Sequence, residues 1–291
     1  MDSKPLTGQT FTVASPAPAA DLAAFLLADL GASVTSSAGA RVPADIADHD
    51  EGRPTNVSLS GYGSRGRFAT APEHESAVAA IGGALMGQYT YAPGPAYLVT
   101  PYATTGQALL AVAAALAQRL RASPPASISA LQGLFAVQTG FYVYGPQTDP
   151  ARWRSSPRGQ LASYSTYLAA DDWVFLGAST QSFMIKVLQV LGLDDILADP
   201  RTFDGPRGFK GTPLEQELWE RIGATIRRHP RDHWLAVFER AGIPAGPVLS
   251  IEEALAHPQI AAAGLVAPGE PIGRLTNLVS VDRRGDHRPR P

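Results

Sequence analysis

Residues 241–265, AGIPAGPVLSIEEALAHPQIAAAGL, join rigid punctuation to a helix signal in one short stretch. Gly242 follows the apolar-periodic run Trp234, Leu235, Val237 and Phe238, so it reads as a glycine that ends a helix in the left-handed conformation, and Pro244 forbids continuation. Pro247 then holds the chain extended. Ser250 stands three residues before Glu253, the spacing of a capping box, which opens a short helix through Ala256 that Pro258 closes. A glycine stop, an extended crossing and a capped helix describe a chain leaving one lobe and returning to another.

The rest of the 291-residue chain supports such an architecture. Its 45% hydrophobic content can fill a substantial core, in one large domain or two moderate ones. The formal net charge of −2 offers no basic field for a nucleic acid, and Arg283, Arg284, Arg288 and Arg290 read as a polar tail. With no cysteine, a thiol nucleophile, disulfides and zinc–thiolate sites are excluded. The start, MDSKPLTGQTF, lacks a basic segment leading into an apolar one, so a cytoplasmic protein that does not span a membrane is expected.

Working back towards the start, Phe11–Ala14 reads as a buried strand, Asp21 opens a helix with Leu22, Phe25, Leu26 and Leu30 on one face, and Ala32–Thr35 returns to strand. Together they predict a β-α-β unit with a parallel crossover. Residues 36–55 read as polar and broken, and Asn56–Leu59 as a strand before a glycine turn. Helices are expected over Glu73–Leu85, Gly106–Leu120 and Ile128–Tyr144. Beyond a linker, Tyr164–Leu168 and Trp173–Leu176 flank Asp171-Asp172 as a hairpin. One helix then ends at Gly192 with Met184, Val187, Leu188 and Leu191 buried. Another, opened by Thr212 and Glu215 around Pro213, buries Leu214, Leu218, Ile222 and Ile226. The expectation is an α/β fold: a large Rossmann-like domain over 1–155, a small α+β domain over 156–248, and a return to the large domain over 249–291.

Gly61, Gly63 and Gly66 in GYGSRG spell a dinucleotide loop, but that loop must open a helix whose amides meet the pyrophosphate, and Pro72 delays the next helix. His74 and Glu75 open that next helix. Histidine titrates near neutrality and suits proton transfer. The loop before the following helix, TPYATTG at 100–106, holds no carboxylate. Arg41, Arg119 and Arg158 are candidate phosphate contacts, since a guanidinium fork matches phosphate geometry.

Several of these segments resemble class III CoA-transferases, the family that includes carnitine and formyl-CoA transferases and α-methylacyl-CoA racemase. LLADLGASV, SGYGSRG, SISALQGLF at 127–135 and the 241–265 stretch carry the resemblance, and Arg119 falls near a family arginine. The resemblance implies coenzyme A as part of an acyl-CoA substrate, a carboxylic acid as second substrate, no metal, and an interlinked homodimer or a heteromer with a longer relative. It implies a nucleophilic carboxylate at the position of Gln132, and a proton-shuttling histidine at His74 beside Glu75. An amide is no carboxylate nucleophile. The resemblance therefore leaves three readings: a shortened, divergent transferase with altered or lost chemistry, a racemase-like catalyst built on His74, or a non-catalytic subunit paired with an active relative.

Overall fold

A computed structural model describes residues 4–36, 43–48, 55–87, 94–121, 124–138, 159–203 and 213–265. They fall into two compact units, divided between 138 and 159 and again between His257 and Pro258.

The first unit is built on five parallel strands, β1 (Thr10–Ala14), β2 (Ser33–Ser36), β3 (Ala44–Asp48), β4 (Thr55–Ser60) and β5 (Ala126–Ser129), in the order β2-β1-β3-β4-β5. Phe11, Val13, Ile46, Val57 and Leu59 turn to one face, where they form a core with α1 (Pro18–Asp29) and α4 (Tyr102–Leu120). Thr12, Asp45, Asn56 and Ser58 alternate to the other face, as a two-residue side-chain period requires. Helix α1 starts at Pro18, three residues before the expected Asp21, because proline suits a first helical position. Its buried face is Ala19, Ala20, Ala23, Leu26 and Leu27, whereas Leu22, Phe25 and Leu30 are only half-buried. Small alanines let the helix lie close on the sheet. Gly31, at φ 98°, ends it, with Ala32 N–H donating to Leu27 O at 3.0 Å.

Three expectations need correction. The polar stretch 36–55 contains β3, which pairs with both β1 and β4 inside the sheet through Val13↔Ile46 and Ile46↔Val57. Its sequence, ADIAD, is short and carries two acids in five residues, which hides the strand: Asp45 faces away from the side that buries Ile46, and Asp48 is its last residue. The helix expected over Ile128–Tyr144 is β5 followed by α5 (Ala130–Val137), and residues from 139 to 158 lie outside the described residues. The helix expected over Glu73–Leu85 is α2 (Glu75–Ile81) and α3 (Ala84–Gly87), separated by Gly82 and by Gly83 at φ 75°.

Helices α4 and α5 cross at two glycines. A Cβ on Gly106 would stand 2.1 Å from Gly133 O, and one on Gly133 would stand 2.2 Å from Gln107 N. The backbones touch, so no side chain fits at either position.

The second unit has an antiparallel sheet of β6 (Gly159–Leu161), β7 (Tyr164–Leu168), β8 (Trp173–Gly177) and β9 (Ala245–Pro247), in that order. The β7–β8 hairpin pairs Leu168 with Trp173 around the Asp171-Asp172 turn. Helices α6 (Gln181–Val190), α7 (Asp194–Ala198), α8 (Pro213–Ile226) and α9 (Arg231–Arg240) share its core, where Val187, Leu188, Leu218, Ile222, Ile226 and Phe238 are fully buried. Gly242, at φ 62°, ends α9, with Ile243 N–H donating to Phe238 O at 2.8 Å. Pro247 lies on the edge strand, where its missing N–H costs no ladder bond. Ser250 and Glu253 form both bonds of the capping box that opens α10 (Ile251–Ala256). Arg231 ties this helix back to the unit, 3.8 Å from Glu253, so α10 stays on the near side of the division and α11 (Pro258–Ala262) on the far side.

Candidate active site

Strand β1 connects outward to β2 and the chain then crosses to β3 on the opposite side, so the direction of winding reverses between β1 and β3. In open parallel sheets a ligand crevice forms at the carboxyl ends of the strands flanking such a reversal. A cavity of about 690 Å³ lies there, lined by Pro16 and Ala17 after β1, Asp48 at the end of β3, Ser60 and Gly61 at the end of β4, and Glu73, His74, Glu75 and Thr104.

Local sequence places each wall. Ser15 donates its hydroxyl to Asp48 Oδ1 at 2.5 Å and accepts Ala17 N–H at 3.0 Å, closing the β1–β3 gap. After β4, Gly63 N–H donates to Ser60 Oγ at 3.2 Å while Gly63 and Gly66 take φ of 91° and 89°. These values turn the chain back so that Glu73 packs on Gly61, where a Cβ would stand 3.2 Å from Glu73 Cα. Helix α2 opens only at Glu75, well after Gly66, so the GYGSRG amides are not a helix start.

His74 occupies the N-cap of α2, is exposed, makes no side-chain cap bond and is among the residues lining the cavity. The carboxylate of Glu75, also in the lining, is held by the start of α4. Its Oε1 accepts Ala103 N–H at 2.9 Å, and its Oε2 accepts Thr104 N–H and the Thr104 hydroxyl, each at 2.8 Å. The carboxylate missing from TPYATTG is thus supplied to the start of α4 from α2. Glu73 is half-buried, and burial, reinforced by Asp48 and Glu75, holds its carboxyl above the ordinary value of 4.5.

Gln132 sits elsewhere. Its Oε1 accepts Ser129 N–H at 2.7 Å and the Ser129 hydroxyl at 3.0 Å, and its own N–H donates to Ser129 Oγ at 3.1 Å, a complete capping box for α5. It lines an adjoining groove of about 430 Å³ with Tyr62, Arg65 and Phe135, and is not among the residues lining the larger cavity.

Arg119 lies at the opposite, amino-terminal end of the sheet, where its Nη2 donates to Thr10 O at 2.7 Å and to both oxygens of Asp45 at 3.1 Å. The sequence reading therefore brings together His74, Glu75, Gly61 and Gly63, but not Gln132 or Arg119. Arg41, Arg158 and the Thr212 cap lie outside the described residues. Asp48 and Glu73 were missed, and so was Arg65 in the groove. The Ser129-x-x-Gln132 spacing, the same signal read correctly at Ser250, would have marked Gln132 as a cap. Among the described residues, no group of three or more His, Asp, Glu or Cys is placed to hold a metal, and no helix is long and apolar enough to cross a membrane.

The model of CoA-transferase family III matches residues 55–279, well over half of the chain. An acyl-CoA transferase of Fusarium pseudograminearum is 27% identical over 217 residues, covering 72% of this chain and 47% of the relative. An acetyl-CoA:oxalate CoA-transferase of Acetobacter aceti is 26% identical over 236 residues, covering 74% of this chain and 58% of the relative. The chain spans about half the length of the curated relatives it matches. The crystal structure of a CaiB/BaiF family protein from Brucella suis superposes with a TM-score of 0.74 at 18% identity, over 96% of this chain and 93% of that one, a likeness of fold. The chain belongs to CoA-transferase family III.

Proposed function

We propose that this family member acts on acyl-CoA thioesters at the β1–β3 cavity, and that its chemistry there is proton transfer by His74 rather than carboxylate attack from position 132. The observation that carries this reading is the placement of Gln132: its amide oxygen caps α5 outside the cavity, whereas His74 and Glu73 line the cavity together. Covalent CoA transfer between two carboxylic acids needs an ionised carboxylate to attack the thioester carbonyl, and an amide cannot form that acyl intermediate. A carbon next to a thioester carbonyl is acidic enough for a nearby imidazole to exchange its proton. Glu73, favoured as the neutral acid by burial, is the second proton-exchanging group. Incubation of the chain with a 2-methylacyl-CoA in D₂O tests the reading. Deuterium at the α-carbon supports it, and a covalent acyl or CoA adduct with no α-deuterium overturns it.

A second reading concerns assembly. Met86, Tyr97 and Val99 of the first unit are 68%, 74% and 90% exposed, and Ile81 and Leu109 are also open. Apolar surface of this extent suits burial against a second chain, either a homodimer partner or a longer relative. Light scattering of the purified chain, alone and mixed with an active relative, separates the two.

A further inference from the structure

The cavity and the adjoining groove share a wall: Gly63 and Ser64 of the glycine turn and Ser127 of β5 line both. Their chemistry is opposite. Asp48, Glu73 and Glu75 all line the cavity, where a further anion would meet three carboxyl groups. The groove instead presents donors. Tyr62, Arg65 and Ser127 line it, and among the described residues none of their side chains has a hydrogen-bond partner or a carboxylate beside it. Arg119, Arg201, Arg221 and Arg231 show the contrast, since each is paired with an aspartate.

The turn that carries Arg65 is braced on both sides of it in sequence. Arg67 lies over the Phe68 ring, 4.5 Å from its centroid, and Phe68 packs on Tyr62 with centroids 5.5 Å apart. This packing holds the Tyr62 ring in the groove wall. Ser129 and Gln132 bond each other, so they do not compete for a ligand in the groove. A Cβ on Gly63 would meet no atom within 4 Å, so the wall between the two depressions borders open space through which a chain can pass.

We propose that the groove of Tyr62, Arg65 and Ser127 binds the phosphate-bearing end of an acyl-CoA, whose thioester runs past Gly63 and Ser64 and delivers the acyl end to the acidic cavity. A phosphodiester oxygen accepts hydrogen bonds and donates none, so it matches a guanidinium fork and two hydroxyls and is repelled by the carboxylates next door. The inference rests on the acyl-CoA reading of the site but not on the proton transfer.

Isothermal titration calorimetry of the full chain with CoA, and with pantetheine, which lacks the phosphates and the adenosine, tests the inference without turnover. Wild type should bind CoA more tightly than pantetheine. Arg65→Ala should weaken CoA by about tenfold or more, the scale of one charge-assisted hydrogen bond, and leave pantetheine within about twofold. Arg65→Lys, which keeps the charge without the fork, should recover part of that loss. Asp48→Asn reports where the phosphates lie: with phosphates in the groove the affinity for CoA relative to pantetheine stays within about twofold, whereas phosphates in the cavity would make it rise several-fold.

That rise, an equal loss for both ligands in Arg65→Ala, or no loss for CoA overturns the proposal. Failure of wild type to bind CoA at all would instead overturn the acyl-CoA reading beneath it, a result distinct from CoA binding that ignores Arg65.

Discussion

The carboxylate of Glu75 receives both the backbone N–H and the hydroxyl of Thr104, each at 2.8 Å, and so caps a helix to which it does not belong. The N-cap residue of α4 is Pro101, which has no side-chain acceptor, and the same holds for Pro230 at the start of α9. In the second case Asp171 Oδ1, from the β7–β8 turn, accepts Arg231 N–H at 2.7 Å. Both helices thus borrow an acid from a distant segment, satisfying orphan amides and complementing the positive end of the helix. For α4 the arrangement has a functional side: the bond that seats α4 also fixes the backbone of the neighbouring His74.

Glu75→Ala should lower unfolding free energy by about 1–2 kcal/mol, the range for loss of a strong N-terminal cap. Glu75→Gln keeps an acceptor oxygen and should recover much of that loss. Urea denaturation of the three proteins checks the order.

Gly133→Ala forces a methyl into the backbone of α4 and should destabilise by about 3 kcal/mol or more, at the upper end of overpacking effects. Gly82→Ala is the control, since the nearest atom to its Cβ is the movable Leu134 Cδ2 at 2.3 Å. It should cost less. Equal losses in the two variants would contradict rigid contact of α4 and α5.

The Asp171 cap sets an acid limit. Hydrogen bonding from Arg231 N–H holds the Asp171 carboxyl below its ordinary 3.8. A lowered folded value means the stabilisation is present above the unfolded pKa and is lost as pH falls through the folded one. Asp171→Asn should therefore flatten the thermal midpoint against pH below about pH 4, matching wild type in acid and lying below it near neutrality. Differential scanning calorimetry over that range checks it.

Gln132→Ala removes one capping acceptor and should cost about 1 kcal/mol of stability. Gln132→Asp retains a capping carboxylate and should remain folded without gaining an acyl adduct, because the side chain stays in the capping box. Intact mass spectrometry after exposure to acyl-CoA reads this directly.

How much was legible follows from the kind of signal. The hairpin around Asp171-Asp172, the α8 stripe of Leu214, Leu218, Ile222 and Ile226, and the Ser250 box are local patterns, and the structure reproduces them. Strand β3 was hidden because Asp45 and Asp48 break the apolar run, yet Asp45 is there to pair with Arg119 and Asp48 to bond Ser15. At the candidate site, His74 falls on the cavity wall, whereas Gln132, read from the family pattern, lies in the adjoining groove and carries a capping spacing in plain view. The partners of Gln107 could not be named in advance, since the carbonyls of Ser60 and Ile128 lie far from it in sequence and meet it only once α4 packs on β4 and β5.

The most direct test of the account compares α-deuterium incorporation into a 2-methylacyl-CoA by wild type, His74→Ala and Gln132→Ala. The account predicts exchange by wild type, loss of at least ~100-fold in His74→Ala, the usual scale for removing a general base, and a rate within about twofold of wild type in Gln132→Ala. Exchange that survives in His74→Ala but disappears in Gln132→Ala would contradict it.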